Sequence, residues 1–370
     1  QFMISVTLIV STVVINSQMK YLRDQDLGFN KAAQIVIPLR GAVAKQQDEA
    51  LQNEFRRNSQ VINAGSAMYY PGIMNPSDNM MYNEGEDARL GKRVQLNYVD
   101  YDFSRTLELQ PVAGRLFARE FPADTSGRIV LNEAAAKQFG FLNPQAAIGR
   151  KVHSDFQGNT NTFEVIGVVK DFHFKDLHVA VEPYALLLNR MQFSYLIVHS
   201  RPGAPGPLLS SLSAAWHKLD PNEPFEFSFL DEDFQKNYAS EERLSAMIGY
   251  FTVMAILISC LGLFGLASFS AEQRIREIGI RKVLGASISG IVMLLSLDFM
   301  KLVGLAMLIA SPVAYWIMHQ WLQDFAYQVP IDWKVFVVTF VCTLAITLVT
   351  IGFQAVRAGL ANPVKSLKTE

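Results

Sequence analysis

"LSAMIGYFTVMAILISCLGLFGLASFSA", Leu244 to Ala271, carries no charge from end to end, and it runs directly into "EQRIREIGIRKVLGAS", Glu272 to Ser287, where charges alternate with isoleucines. The first stretch exceeds the roughly 20 apolar residues that a helix needs to cross a hydrocarbon core about 30 Å thick. The second holds too many charges to follow it in. Their junction therefore marks a membrane face, and the rest of the chain is placed from there.

The apolar centre of that stretch is Ala246 to Phe269, and three more uncharged runs accompany it: Phe2 to Ile15, Leu302 to Leu322 and Val335 to Val356. Phe2 to Ile15 reads as the distal end of a span cut off by the start of the chain. No basic n-region precedes it and no small-residue cleavage site follows, so it does not read as a secretory signal. Half of all residues are hydrophobic and 18% are charged, a mixture expected of a membrane protein with a sizeable aqueous domain. Lys plus Arg number 33 and Asp plus Glu 34, so overall charge gives no argument for nucleic acid or an acidic substrate.

Basic residues set the orientation. Arg274, Arg276, Arg281 and Lys282 lie between the second and third spans, and Arg357, Lys365 and Lys368 follow the fourth, whereas only Lys334 stands between the third and fourth. The positive-inside rule puts Glu272 to Ser287 and the C-terminus in the cytoplasm, and the long segment after the first span outside. Trp316, Trp321, Phe325, Tyr327 and Trp333 gather around the short external loop as an aromatic belt. The expected division is a first transmembrane helix and stalk start (1–19), an extracytoplasmic domain with stalks (20–243) and a second span (244–271). A cytoplasmic segment (272–287), an amphipathic approach with the third span (288–323), an external loop (324–334), a fourth span (335–357) and a cytoplasmic tail (358–370) follow.

The external segment alternates two periodicities. "AQIVIPL", "RVQLNYV", "GRIVLN", "FEVIGVV" and "YLIVHS" are β-branched or aromatic runs with polar or glycine borders, as strands have. "QQDEALQNEFRRN", "NEAAAKQFG" and "GPLLSSLSAAWHKL" carry helical spacing, the second starting after Asn132 and stopping at Gly140. The fold class is thus an α-helical transmembrane bundle of four spans, the first truncated, with a large α+β domain inserted between spans one and two. Both cysteines, Cys260 and Cys342, fall inside spans and read as small apolar residues.

Chemistry is sparse. There is no G-x-x-x-x-G-K-[ST] loop, no H-E-x-x-H and no G-x-S-x-G, so ATP hydrolysis, zinc-protease and serine-hydrolase chemistry are not expected. "KDFHFKDLH", Lys170 to His178, assembles ligand-type residues, but at spacings that match no standard metal site, and the exit from a strand is ordinarily polar. Asp231 and Asp233 in "FLDEDF" read as a solvated edge or a helix start and not as an acid and base pair. Asp298 and Lys301 share a helix face and are expected to pair near the cytoplasmic interface. Ala306, Ala310 and Ala314 recur every four residues, a ladder that either permits close helix contact or faces lipid. Pro312 is expected to kink the same span.

Between the second and third spans, Ile275, Ile278, Ile280, Val283 and Leu284 stand at helical spacing beside Arg274, Arg276, Glu277, Arg281 and Lys282, with Gly285 as a stop. Such a helix lies along the membrane face. It is held there by anionic lipid, or it docks a soluble partner.

These stretches together resemble one repeat of the MacB/FtsX-like ABC transporter permeases, including the lipoprotein-releasing permeases. The resemblance covers essentially the whole chain. "VDYDFSRTLELQPVAGRLF", "IVLNEAAAKQFGF" followed by "AIGRKV", "FEVIGVVKDFHFKDLH" and "PFEFSFLDEDFQKNYASEERL" are similar to the family's periplasmic core domain, "REIGIRKVLGAS" to its cytoplasmic coupling segment and "ANPVKSLKTE" to its usual ending. The nearest variety is the tandem-repeat permease of Bacteroidetes-type bacteria, of which this would be the second half. The resemblance implies a non-catalytic subunit of the bacterial inner membrane with a periplasmic domain and a cytoplasmic C-terminus. No cofactor is expected in this chain, with ATP and Mg held by a separate cytoplasmic ATP-binding subunit. Further partners would be a second permease repeat or protomer, the bilayer, and a periplasmic adaptor or cargo, with no nucleic acid. ATP-driven motion would reach the external domain through stalks in "NSQMKYLRDQD" and "YASEERLSAM", which lack a flexible Gly/Ser linker. Coupling contacts are assigned to Glu272, Arg274, Arg276, Glu277, Arg281 and Lys282, with Ile275, Ile278 and Leu284 packing. A membrane-anchored sensor without an ATPase is the alternative. An external hydrolase lacks a recognisable nucleophile, base or metal cluster.

Overall fold

The computed structural model describes residues 1–156, 159–189, 192–274, 277, 280, 281, 284 and 287–360. The chain opens on α1 (Phe2–Asp24), which continues into the first expected stalk as far as Asp24. It then builds a unit of its own from Gln25 to Ala239. In chain order this unit contains β1 (Gln34–Pro38), α2 (Ala42–Gln46), α3 (Asp48–Arg56), β2 (Val61–Ala67), β3 (Asp78–Asn83), β4 (Lys92–Val99) and α4 (Phe103–Thr106). β5 (Pro111–Gly114), β6 (Arg128–Asn132), α5 (Glu133–Gln138), α6 (Pro144–Ala147), β7 (Lys151–Phe156) and β8 (Asn159–Val169) follow. β9 (Tyr184–Leu188), β10 (Tyr195–Ser200), α7 (Pro205–Leu219), β11 (Ser228–Phe229) and α8 (Leu230–Lys236) complete it.

The strand order is β11-β1-β10-β2-β4-β3-β7-β8-β6-β9, and β9 returns to pair in parallel with β4. Strands β4, β3, β7, β8, β6 and β9 thereby close into a ring, and closure leaves no free edge among them. Alternate residues of those strands point inward: Met81, Val94, Leu96, Ile129, Leu131, Val152, Val165 and Leu187 form one core, and α5 adds Ala135 and Ala136. A second core lies where β1, β10 and β2 are covered by α3 and α7, with Ile35, Ile37, Leu51, Phe55, Val198, Leu212 and Trp216 at its centre. Two cores in one unit explain why the strand and helix signals alternate along the sequence. Asn132 caps α5 by accepting from the Ala135 amide at 2.9 Å, and Gly140 ends the turn at φ +89°, as the sequence requires.

The remaining helices belong with α1 to a second unit, Gln1–Asp24 with Ser240–Glu370. They are α9 (Ala239–Gln273), α10 (Ile288–Leu322) and α11 (Trp333–Leu360). Among the described residues, four helices are long and apolar enough to cross a membrane: α1, α9, α10 and α11. Helix α9 begins ahead of Leu244 because Ser240 to Arg243 are helix-compatible and Glu241 and Glu242 suit a first turn. In α10 the buried stripe runs Phe299, Val303, Ala306, Ala310, Ala314, Met318 and Leu322, and this helix packs on α1 and α11. Pro312 lies inside α10. The expected tail from residue 361 onward lies outside the described residues.

Candidate functional site

The sequence directs attention to the connection between α9 and α10. Glu272 is the penultimate residue of α9. Arg274, one residue past its end, donates from Nη2 to Asp298 Oδ2 on α10 at 3.0 Å. The expected Asp298–Lys301 pair is present only loosely, at 3.7 Å. Glu277 and Arg281 are helical and pair at 2.6 Å, four residues apart. The Leu284 amide donates to the Ile280 carbonyl at 3.0 Å. Ser287 then caps α10, its Oγ accepting from the Gly290 amide at 3.2 Å. Ile275, Arg276, Ile278 and Lys282, also assigned to this site, lie outside the described residues.

Two of the described residues here carry exposed apolar side chains. Leu284 is 80% exposed and Ile280 53%. Covering two such side chains is worth about 1.5–3 kcal/mol each, whereas the exposed ion pairs beside them contribute about 0–1 kcal/mol. On the membrane side, Leu263 and Ala267 of α9, Phe299 of α10 and Ile351 of α11 form a small core, with Phe2 of α1 packed against it.

Polar side chains inside the bundle link α1 to its neighbours, and the sequence reading did not single them out. Ser5 and Ser259 share a hydrogen bond at 2.8 Å, as do Thr12 and Thr252. Fully buried Gln18 donates to the Tyr327 carbonyl and accepts from the Val329 amide, both at 2.8 Å. Hydroxyl and amide groups at helix contacts are the signal that would have found them. Ala306, Ala310 and Ala314 are buried on α10.

In the outer unit, the residues of Lys170–His178 are engaged one by one. Asp171 Oδ1 accepts from the Ala134 amide at 2.8 Å, and burial raises its carboxyl above the ordinary range. Burial lowers His173. Asp176 accepts from both the ring and the amide of His178. Asp231 and Asp233 lie in the first turn of α8. Asp233 also accepts from Tyr70, Ser228 and Lys236.

Four apolar helices with an α+β domain between the first and second define a membrane protein that carries an extracytoplasmic domain. The model of the MacB-like periplasmic core domain matches residues 2–208, more than half of the chain, and that of the FtsX-like permease C-terminal matches residues 249–363. The chain therefore belongs to the MacB/FtsX-like ABC transporter permeases. Among solved structures it is similar to the periplasmic region of MacB from Actinobacillus actinomycetemcomitans, with 14% identity over 58% of this chain and 96% of that chain and a TM-score of 0.39. It is also similar to a domain of a permease protein from Porphyromonas gingivalis, with 14% identity, 54% and 92% covered and a TM-score of 0.38. The extracellular domain of the noncanonic ABC-type transporter YknZ from Gram-positive bacteria gives 13%, 52% and 96%, and 0.35. No curated protein matched.

Proposed function

We propose that this chain is the membrane subunit of an ABC assembly in which a separate cytoplasmic ATP-binding subunit docks on Glu272–Ser287 and drives motion that reaches the extracytoplasmic domain, for export or extraction of a substrate. The observation that carries the reading is that, between α9 and α10, Ile280 and Leu284 are exposed beside the paired helical residues Glu277 and Arg281. Family membership supports it, since ABC permeases work with ATP-binding subunits. ATP and Mg²⁺ would reside in that partner. The positive-inside rule puts this segment and the C-terminus in the cytoplasm of the bacterial inner-membrane topology.

The test is reconstitution of the full-length chain in nanodiscs with a co-expressed ABC ATP-binding subunit, comparing wild type with Ile280→Asp plus Leu284→Asp. Losing two buried apolar contacts, at about 1.5–3 kcal/mol each, lowers affinity by about a hundredfold or more. Wild type is expected to retain the subunit and stimulate its ATP hydrolysis, and the variant to do neither while inserting normally. Equal retention by both would remove the docking role from this segment. No retention by either would favour the sensor.

A further inference from the structure

The stretch Lys170–His178 has no part in the docking surface, yet it is bonded to several distant parts of the outer unit. Three sets of contacts converge on it. The first roots it in the barrel and α5. The Lys170 amide donates to the Gln110 carbonyl at 2.8 Å. Asp171 and α5 bond reciprocally, the Asp171 amide donating to Glu133 Oε2 at 3.0 Å while its carboxylate receives the Ala134 amide. The rings of Phe172 and Phe174 pack on Tyr184 of β9 at 5.2 and 4.8 Å.

The second set holds the segment by which the chain enters the unit. The His173 amide donates to the Leu27 carbonyl at 2.8 Å. Lys170 Nζ reaches Asp26 Oδ2 at 3.3 Å, and Asp26 Oδ1 accepts from the Gly28 amide at 2.9 Å. Gly28 has φ +77° and lies so close that an added Cβ would fall 2.3 Å from the Asp171 carbonyl oxygen. The third set holds the segment by which the chain leaves. The Leu177 amide donates to the Tyr238 hydroxyl at 2.8 Å, buried, and the His178 ring stacks on the Tyr238 ring at 5.9 Å. The Gly72 amide donates to the Phe174 carbonyl, and the Gly72 carbonyl receives Asn237 Nδ2, both at 2.8 Å. An edge-on contact of Phe29 with Phe234 at 6.1 Å joins entry directly to exit.

We infer that Lys170–His178 is a clasp that binds the entering segment Asp26–Phe29 and the leaving segment Phe234–Tyr238 into one block rooted on the barrel. Helix α1 ends at Asp24 and α9 begins at Ala239, so these are the first and last anchored stretches of the unit. A hydrogen bond of 2.8 Å is lost with less than about 1 Å of stretch. Entry and exit therefore cannot slide apart while Leu177–Tyr238 and His173–Leu27 both hold. A displacement applied at either end is delivered to the barrel through Lys170 and Asp171 without being absorbed in two independent loops. The use made of the clasp rests on the mechanical reading proposed above. Its existence does not.

Amide hydrogen exchange on the full-length chain in nanodiscs separates the two. Tyr238→Phe deletes the acceptor of the Leu177 amide at the exit, and Asp26→Ala removes the ion pair and the Gly28 cap at the entry. Losing one buried bond accelerates exchange by about tenfold. The clasp predicts that Tyr238→Phe speeds exchange at His173 and Gly28 as well as at Leu177, and that Asp26→Ala speeds exchange at Leu177, because coupling is reciprocal. Effects confined to the mutated side in both variants would overturn it. With the ATP-binding subunit added, ATP should change exchange across residues 26–31 in wild type. In Tyr238→Phe that change should vanish while hydrolysis continues, a result that loss of stability alone does not produce. Reciprocal coupling with no ATP-linked change in wild type would leave the clasp standing and refute the mechanical role.

Discussion

Asp100, the residue after β4, gives the sharpest quantitative prediction. Its side chain is buried, 5% exposed, between α3 and α4. Oδ1 accepts from the amides of Asp102 and Phe103 at 3.0 and 2.7 Å, and Oδ2 accepts from Gln52 Nε2 at 2.8 Å. That same nitrogen also lies 3.1 Å from Asp48 Oδ2 and 2.9 Å from Ser66 Oγ. Burial, aided by the negative charge of Asp102, raises Asp100 from 3.8 to about 7. The folded value is the higher one. The stabilisation from neutral Asp100 is thus complete below about pH 3.8 and is lost as pH rises to about 7. At about 1.36 kcal/mol per pKa step, the full span is worth about 4 kcal/mol. Carboxylates held low elsewhere, such as Asp26 and Asp176, act in the opposite sense, so a difference is measured. Melting temperatures of wild type and Asp100→Asn are compared from pH 4 to pH 8 in nanodiscs. Relative to the variant, wild type should lose stability by about 8–16 °C over this range, at about 2–4 °C per kcal/mol for a domain of this size. A constant difference across the range would refute the argument.

Three further outcomes follow from single contacts. Arg115 holds the fully buried Asp124 carboxylate in a fork of 2.6 and 2.7 Å; Arg115→Ala should destabilise by about 3–5 kcal/mol by leaving that charge unpaired, with Arg115→Lys intermediate in thermal melts. Gly28→Ala should lower the melting temperature by several degrees, since its methyl would meet Asp171 and Phe172 backbone at a positive φ; an unchanged melt would mean that the close approach relaxes freely. Ala310→Leu should cost about 1–3 kcal/mol by overpacking and reduce the detergent stability of the bundle, because Ala310 is 1% exposed; no loss would place that face toward lipid.

The sequence made the membrane spans and the regular strands legible because each is a local pattern. "AQIVIPL", "RVQLNYV", "GRIVLN", "FEVIGVV" and "YLIVHS" correspond to β1, β4, β6, β8 and β10. Strand β2, "VINAGSA", was not legible, since its small residues answer a tertiary demand. A Cβ on Gly65 would lie 2.5 Å from the Phe103 amide nitrogen, where α4 crosses it. Ring closure was equally hidden, because the parallel pairings β6–β8 and β4–β9 join segments distant in sequence. At the candidate site, helical spacing suggested Lys301 as the partner of Asp298, but the closer cation is Arg274, just past the end of α9. "KDFHFKDLH" read as a polar turn, and its partners at Leu27, Ala134 and Tyr238 leave no mark within nine residues of sequence.

The pairing of β1 with β10 and β11 also governs how the molecule is made. Ile37 is among the first residues of the outer unit to be synthesised, and its register partner Leu196 and the edge residue Phe229 among the last. On a growing chain β1 therefore waits, apolar and unpaired, while the barrel strands β3, β4, β6, β7 and β8 find neighbours nearer in sequence. Such long-range pairing is slow and leaves strands open to mispairing. Pro38 at the end of β1 and the exposed Arg40 just beyond it are features that discourage foreign strands during that interval. Completion of the sheet thus reports that the whole unit has emerged, and a chain truncated before β10 would carry its first strand permanently unmatched.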